Sequence, residues 1–232
     1  MKFKETVAVN LIIILMLCVL WGYSLKQNVS VSAFAGNGPV YKAAGEEKTI
    51  SLMINVYQGD EIIKEYLELF EKENIKATFF LGGCWAAKSK DCVREIYNAG
   101  HEIGNHGYNH KLHTKLTREQ SKNEILRTNS LLKEITGKTP TLFAPPSGDV
   151  NESVVNDATE CGCITIMWSA DTIDWRDQDA KKIYSRVERN LQPGVFVLMH
   201  PTKATLEALP DVILLARAQG YTFTTVSQAL KI

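Results

Sequence analysis

From Thr49 onward the chain alternates short apolar runs, too brief for helices, with longer stretches whose apolar residues recur at helical spacing. No other feature confines the fold as tightly. Strands are predicted over Thr49 to Asn55, Ala77 to Leu81, Glu102 to Asn105, Thr141 to Phe143, Ile164 to Trp168, Val195 to Met199 and Tyr221 to Thr225. Between them, Asp60 to Glu73 gathers Ile62, Ile63, Tyr66, Leu67, Leu69 and Phe70 on one face. Thr117 to Thr136 opens on Thr117-x-x-Gln120, a capping-box spacing, and stops before Gly137. Strands separated by helices require right-handed crossovers and hence a parallel sheet, either closed as a barrel or left open. In both forms the reactive side chains collect at the carboxyl ends of the strands.

The first 35 residues are set apart from that pattern. Lys2 and Lys4 precede Val7 to Leu25, a stretch without formal charge. It reads as a secretion signal or membrane anchor rather than a buried core helix. Ala33-Phe34-Ala35 has the form of a cleavage site but lies far from the apolar run, so cleavage and retention both stay open. Bulky Leu17 before Cys18 argues against lipoprotein processing. The expected organisation is residues 1–35 as signal or anchor, 36–47 as linker, and 48–232 as one domain that is exported to the envelope or beyond.

Lys+Arg and Asp+Glu are both 26, so no net field draws the chain to nucleic acid, and membrane contact is expected only through the N-terminal segment. Outside that segment stand Cys84, Cys92, Cys161 and Cys163. Cys84 with Cys92 is the preferred disulfide, since the short loop between them can close on itself. The spacings do not suit a zinc finger, and Cys161-Gly-Cys163 lacks the C-x-x-C context of a redox centre.

His106 and His110, in Gly104-Asn105-His106-Gly107-Tyr108-Asn109-His110, are spaced to put both imidazoles on one side. Two imidazoles can chelate a cation such as zinc, but a catalytic site needs a third ligand, usually a carboxylate. His101 and His113 read as ordinary surface or strand-start residues. Three further polar segments sit at predicted strand ends: Phe143-Ala-Pro-Pro-Ser-Gly148, Asp171-Thr-Ile-Asp-Trp175 and Leu198-Met-His-Pro201. Four such ends suggest one site.

The order His106-x-x-x-His110, Pro-Pro-x-Gly, Asp-x-x-Asp-Trp and Leu-x-His resembles the polysaccharide deacetylases with a NodB homology domain, carbohydrate esterase family 4, over about residues 48 to 230. Ile50-Ser-Leu-Met-Ile-Asn-Val56 and Leu142-Phe-Ala-Pro-Pro-Ser-Gly148 resemble the sporulation-associated branch of that family in Gram-positive bacteria. The resemblance implies a distorted β/α barrel of about seven parallel strands, a divalent metal (zinc or cobalt) and removal of N-acetyl groups from a GlcNAc-type cell-envelope polysaccharide. It implies that His106 and His110 hold the metal. His200 would be the general acid, tuned by Asp174 with Asp171 beside it, while Pro145, Pro146 and Trp175 would border the glycan. Chemically, the metal would polarise the amide and a carboxylate-held imidazolium would protonate the leaving amine.

Two departures qualify what the resemblance implies. Where that family carries a Thr-Phe-Asp-Asp-Gly segment, giving the general base and then a metal ligand, this chain has Met53, Ile54, Asn55 and Val56. Asn55 stands in the position of the base. The arginine that would hold that base is replaced by Ala144. Losing both members together is coherent, because removing one member of a buried ion pair costs about 3–5 kcal/mol. Two functions fit: a slow hydrolase rebuilt with Asp60, Glu61 or water as the missing group, or a protein that keeps the sugar groove and binds N-acetylated glycan without cleaving it.

Overall fold

The computed structural model describes Ile13, Met16 and residues 38–232. Apart from Ile13 and Met16, the apolar segment 7–25 and the Ala33-Phe34-Ala35 site lie outside the described residues. Among the described residues no helix is long and apolar enough to cross a membrane.

Eight strands form one sheet: β1 (Thr49–Val56), β2 (Thr78–Leu81), β3 (Glu102–Asn105), β4 (Leu142–Phe143), β5 (Ile164–Thr165), β6 (Ala170–Asp171), β7 (Val195–Met199) and β8 (Thr222–Phe223). Their order is β5-β4-β3-β2-β1-β7-β6, with β8 on the first residues of β1, and every strand pairing is parallel. The helices are α1 (Asp60–Lys72), α2 (Gly83–Ala86), α3 (Lys90–Asn98), α4 (Arg118–Thr136), α5 (Glu152–Glu160), α6 (Asp174–Asp177), α7 (Ala180–Asn190), α8 (Lys203–Ala218) and α9 (Val226–Leu230). The result is the expected distorted β/α barrel.

Its seam is bridged by residues from the segment expected as a linker. Val40 donates to Thr165 O at 2.9 Å and accepts from Met167 N at 2.8 Å, while Ala43 N donates to Gly194 O at 2.9 Å. Residues 40–43 thus run from the β5 side to the start of β7, and Ala43 is buried. A side chain at Gly194 would meet Ala43 O at 2.4 Å, so this crossing needs glycine.

Period-2 alternation sorts β1 into two cores. Ile50, Leu52, Ile54 and Val56 face the helices, where Ile63, Tyr66 and Phe70 of α1 meet them. Met53 faces inward onto Phe80, Ala144, Ile166 and Phe196. The capping box at Thr117 and Gln120 forms as its spacing predicts, and Gly137 closes α4 at φ 79°. Four strands are shorter than predicted: β2 and β4 begin one residue late, at Thr78 and Leu142, and β5 and β8 shrink to two residues each. Ile166 and Met167 pair with Val40 instead of extending β5, and Thr225 turns away from β8 to cap α9. Strand β6 was not anticipated, because only two of its residues join the ladder.

The preferred Cys84–Cys92 disulfide is absent: Cys84, Cys92, Cys161 and Cys163 are all free thiols. The stretch between the first pair is not a loop but contains the two helices α2 and α3, which carry the thiols apart in environment. Cys84 is part-exposed beside Asn109, whereas Cys92 is buried and its thiol is pushed up to about 12. Burial likewise raises Cys161 and Cys163 to about 11, which keeps both as unreactive thiols.

Candidate active site

The carboxyl ends of the central strands converge as the alternation requires. On β1 and β7 Ile54 pairs with Met199, so Asn55 and His200 are the next residues along two adjacent strands. On β3 and β4 Asn105 pairs with Phe143, which places His106 beside Ala144. Asn55 lies two residues beyond inward-facing Met53, so it shares the inner face of the barrel.

The His200–Asp174 pair is fully assembled. Asp174 opens α6 behind Ile173, which adopts a left-handed φ of 52°, and its side chain has no exposed surface. Its Oδ1 lies 2.7 Å from His200 Nδ1. Its Oδ2 accepts from His200 N at 2.7 Å and from Thr205 Oγ1 at 2.6 Å. Burial alone would raise this carboxyl, but the His200 hydrogen bond and charge, with the Thr205 hydroxyl, bring it below the ordinary carboxylate range. With Nδ1 held, His200 turns Nε2 away from Asp174 on a part-exposed ring.

The two-histidine loop is held from below. His106 is buried and its Nδ1 lies 2.7 Å from Ala144 O, an arrangement that makes Nδ1 the protonated nitrogen and frees Nε2. Burial, opposed by that carbonyl and reinforced by the nearby charges of His110, His200 and His113, lowers its pKa to about 3. His110 is exposed, with φ 55°, and its ring stands edge-on to His106 at 5.4 Å between centroids.

Sequence reading missed three groups that fix this loop. Tyr57 donates its hydroxyl to His106 O and Gly107 O at 2.9 and 3.1 Å and accepts His110 N at 2.8 Å. Glu124 of α4 accepts from Tyr108 N, Asn109 N and Asn109 Nδ2 at 2.6 to 3.0 Å. Asn105 bridges Ile125 O, Asn129 Oδ1 and Gly107 N. One signal was available for Tyr57: it follows immediately on the altered Asn55-Val56 segment, and Gly82 leaves the space its ring fills.

Other predicted residues stand apart. Asp171 accepts Ile173 N at 2.8 Å and serves its own turn rather than His200. Asp60 accepts the Trp85 indole N–H at 2.6 Å. Val56 faces the helices. Pro145 and Pro146 are buried, the latter against Gly107, and Trp175 is 61% exposed beside Asp174. His101 and His113, read as surface or strand-start residues, are buried at 5% and 2% exposure, each completing a hydrogen bond in the core, and His101 directly precedes β3.

Whether these residues suit a divalent metal is decided by the donor set. His106 and His110 supply two imidazoles, but β1 offers an amide and a valine, and Asp60 is committed to Trp85. Among the described residues no group of three His, Cys, Asp or Glu side chains is placed to hold a metal. The donors therefore do not fit the three-ligand site that the resemblance implies.

Residues 42–166 match the polysaccharide deacetylase family. The uncharacterized protein YlxY of Bacillus subtilis is 36% identical over 83% of this chain and 60% of its own length. A peptidoglycan-N-acetylglucosamine deacetylase of Bacillus cereus is 33% identical over 84% of this chain and 70% of its own. The crystal structure of a CE4 family pseudoenzyme from Bacillus anthracis superposes with a TM-score of 0.81 at 36% identity, covering 83% of this chain and 68% of that one. A mutant of that pseudoenzyme, described as having restored enzymatic activity, superposes with the same TM-score at 35% identity, over 83% of this chain and 71% of the mutant.

Proposed function

The chain belongs to the polysaccharide deacetylase family, and on that premise we propose that it binds an N-acetylated cell-envelope glycan, of peptidoglycan or chitin type, without deacetylating it at an enzyme's rate. The observation that carries this reading is the end of β1, where Asn55 and Val56 bring neither a proton acceptor nor a metal ligand to His106, His110 and His200. An amide has no useful basicity near pH 7, so no group on β1 can take the proton from an attacking water. The similarity to a pseudoenzyme, one mutant of which regained activity, supports the same reading. The glycan would lie against Trp175, whose exposed indole can stack on a sugar face, while the buried Pro145 and Pro146 would shape the loop after β4. The protein would act outside the cytoplasm, released by cleavage or anchored through residues 7–25.

A second reading is favoured by the intact Asp174–His200 pair. A histidine so held suits protonation of a leaving amine, which a pure binding protein does not require. Under that reading the protein would be a slow metal-dependent N-deacetylase in which His106 and His110 would hold zinc or cobalt and water would stand in for the missing carboxylate.

The experiment measures acetate release from N-acetylglucosamine oligomers and peptidoglycan by the full chain with zinc or cobalt, beside His106→Ala and His200→Ala. Glycan binding without release above either variant is the expected result. Metal-dependent release lost in both variants establishes the hydrolase instead.

A further inference from the structure

Asn55 is 5% exposed, and its Oδ1 is buried without any hydrogen-bond partner. No hydrogen bond from its Nδ2 forms among the described residues either. Such bare polar groups are few in folded proteins, and one at a ligand site has an available explanation: the ligand completes it. The neighbours sharpen this. On the inner face Asn55 sits beside His200 across β1 and β7, while His106 and Ala144 stand at the ends of β3 and β4, on the far side of β2. Ala144 is small and fully buried, so it offers the carboxamide no partner of its own. Tyr57, the next residue, spends its hydroxyl entirely on the histidine loop.

We propose that Asn55 is the group that distinguishes an acetylated from a free amino sugar, its carboxamide engaging the acetamido group of the glycan. This rests on the glycan-binding reading above and specifies which part of the ligand is read. A carboxamide carries a neutral acceptor and two donors, a match for the carbonyl and N–H of a neutral acetamide. A carboxylate in its place would prefer the ammonium of a deacetylated sugar. Replacing an acid by its amide therefore converts a position fit for bond-breaking into one fit for amide recognition. A site built to hydrogen-bond one group rejects an analogue lacking it, because its own polar atoms are then left unpaired.

The test is calorimetric titration of the full chain with two probes, the tetramer of N-acetylglucosamine and the fully deacetylated glucosamine tetramer. The wild-type protein is expected to bind the acetylated tetramer about tenfold or more tightly than the other. Asn55→Leu should lose about tenfold in affinity for the acetylated tetramer while its melting temperature stays equal or rises, since an unpaired buried amide has been removed. Asn55→Asp, close to isosteric, should reverse the preference towards the glucosamine tetramer and serves if the leucine variant does not fold. Retention of wild-type preference in either variant overturns the proposal while leaving glycan binding intact. Equal wild-type affinity for both tetramers does the same, and no binding of either removes the glycan-binding reading and this inference together.

Discussion

His200 Nδ1 lies 2.7 Å from Asp174 Oδ1, and the carboxylate that holds it is sealed from solvent while also receiving the His200 backbone N–H and the Thr205 hydroxyl. Three donors around one carboxylate make it a strong anchor for the start of α6 and the end of β7. Asp174→Asn replaces one acceptor oxygen by a donor facing other donors, and is expected to destabilise the fold by about 3 kcal/mol in urea melts at pH 7. The folded carboxyl lies below its ordinary range, so its contribution is complete above about pH 4 and disappears as pH falls through the lower folded value. The wild-type acid limb should therefore be steeper than that of Asp174→Asn. An unchanged midpoint at pH 7 would show the carboxylate to be dispensable.

Tyr57 ties the end of β1 to the histidine loop through three hydrogen bonds spanning His106 to His110. Tyr57→Phe keeps the ring in the space beside Gly82 but leaves two carbonyls and one N–H without this partner. A loss of about 1–3 kcal/mol is expected. Hydrogen exchange at the His110 amide should accelerate more than exchange in β7, which a uniformly weakened fold would not produce.

Asn55→Asp places a carboxylate on the inner face without a counterion, and Ala144→Arg places a guanidinium where Ala144 is now fully buried. Each single change should destabilise the fold. If positions 55 and 144 form the pair that their joint replacement indicates, the double variant should be more stable than the sum of singles by about 1–3 kcal/mol in a double-mutant cycle. Strict additivity would mean that the two positions do not meet.

Much of this site was legible because it depends on periodicity and strand ends. The strands β3 and β7 fall on their predicted residues, since each has a short run bounded by helices. Their ends deliver His106 and His200 as a parallel sheet must. Asp174 was expected to tune His200 with Asp171 beside it, and the structure parts the two: the left-handed Ile173 turns Asp174 inward while Asp171 caps the turn. Glu124 and Thr205 were invisible for another reason. A glutamate or threonine on an amphipathic helix looks like solvated surface, and only the tertiary approach of the loop residues Tyr108 and Asn109, or of Asp174, gives it a partner. His101 stands at the start of β3, one of its two expected places, but its burial was hidden in the same way, being decided by the contact of α1 with the sheet.

That buried histidine gives the clearest pH prediction. The His101 ring is buried between Phe70 and Phe79, and Nδ1 accepts the Ala77 N–H at 3.1 Å, so the folded state requires that nitrogen unprotonated. Burial, then the charge of Lys76, lowers its pKa to about 4. In the unfolded chain an ordinary histidine titrates near pH 6.5, so between about 6.5 and 4 the unfolded state binds a proton that the folded state does not. Stability contributed by a neutral His101 should therefore fall as pH drops through that window and fall no further below it. His101→Asn can present Oδ1 to the Ala77 N–H without titrating. Its melting temperature should be lower than wild type at pH 7, because ring packing on Phe70 and Phe79 is lost, yet decline less between pH 7 and 4. Parallel melting curves across that range would assign the acid sensitivity to the other buried histidines and not to His101.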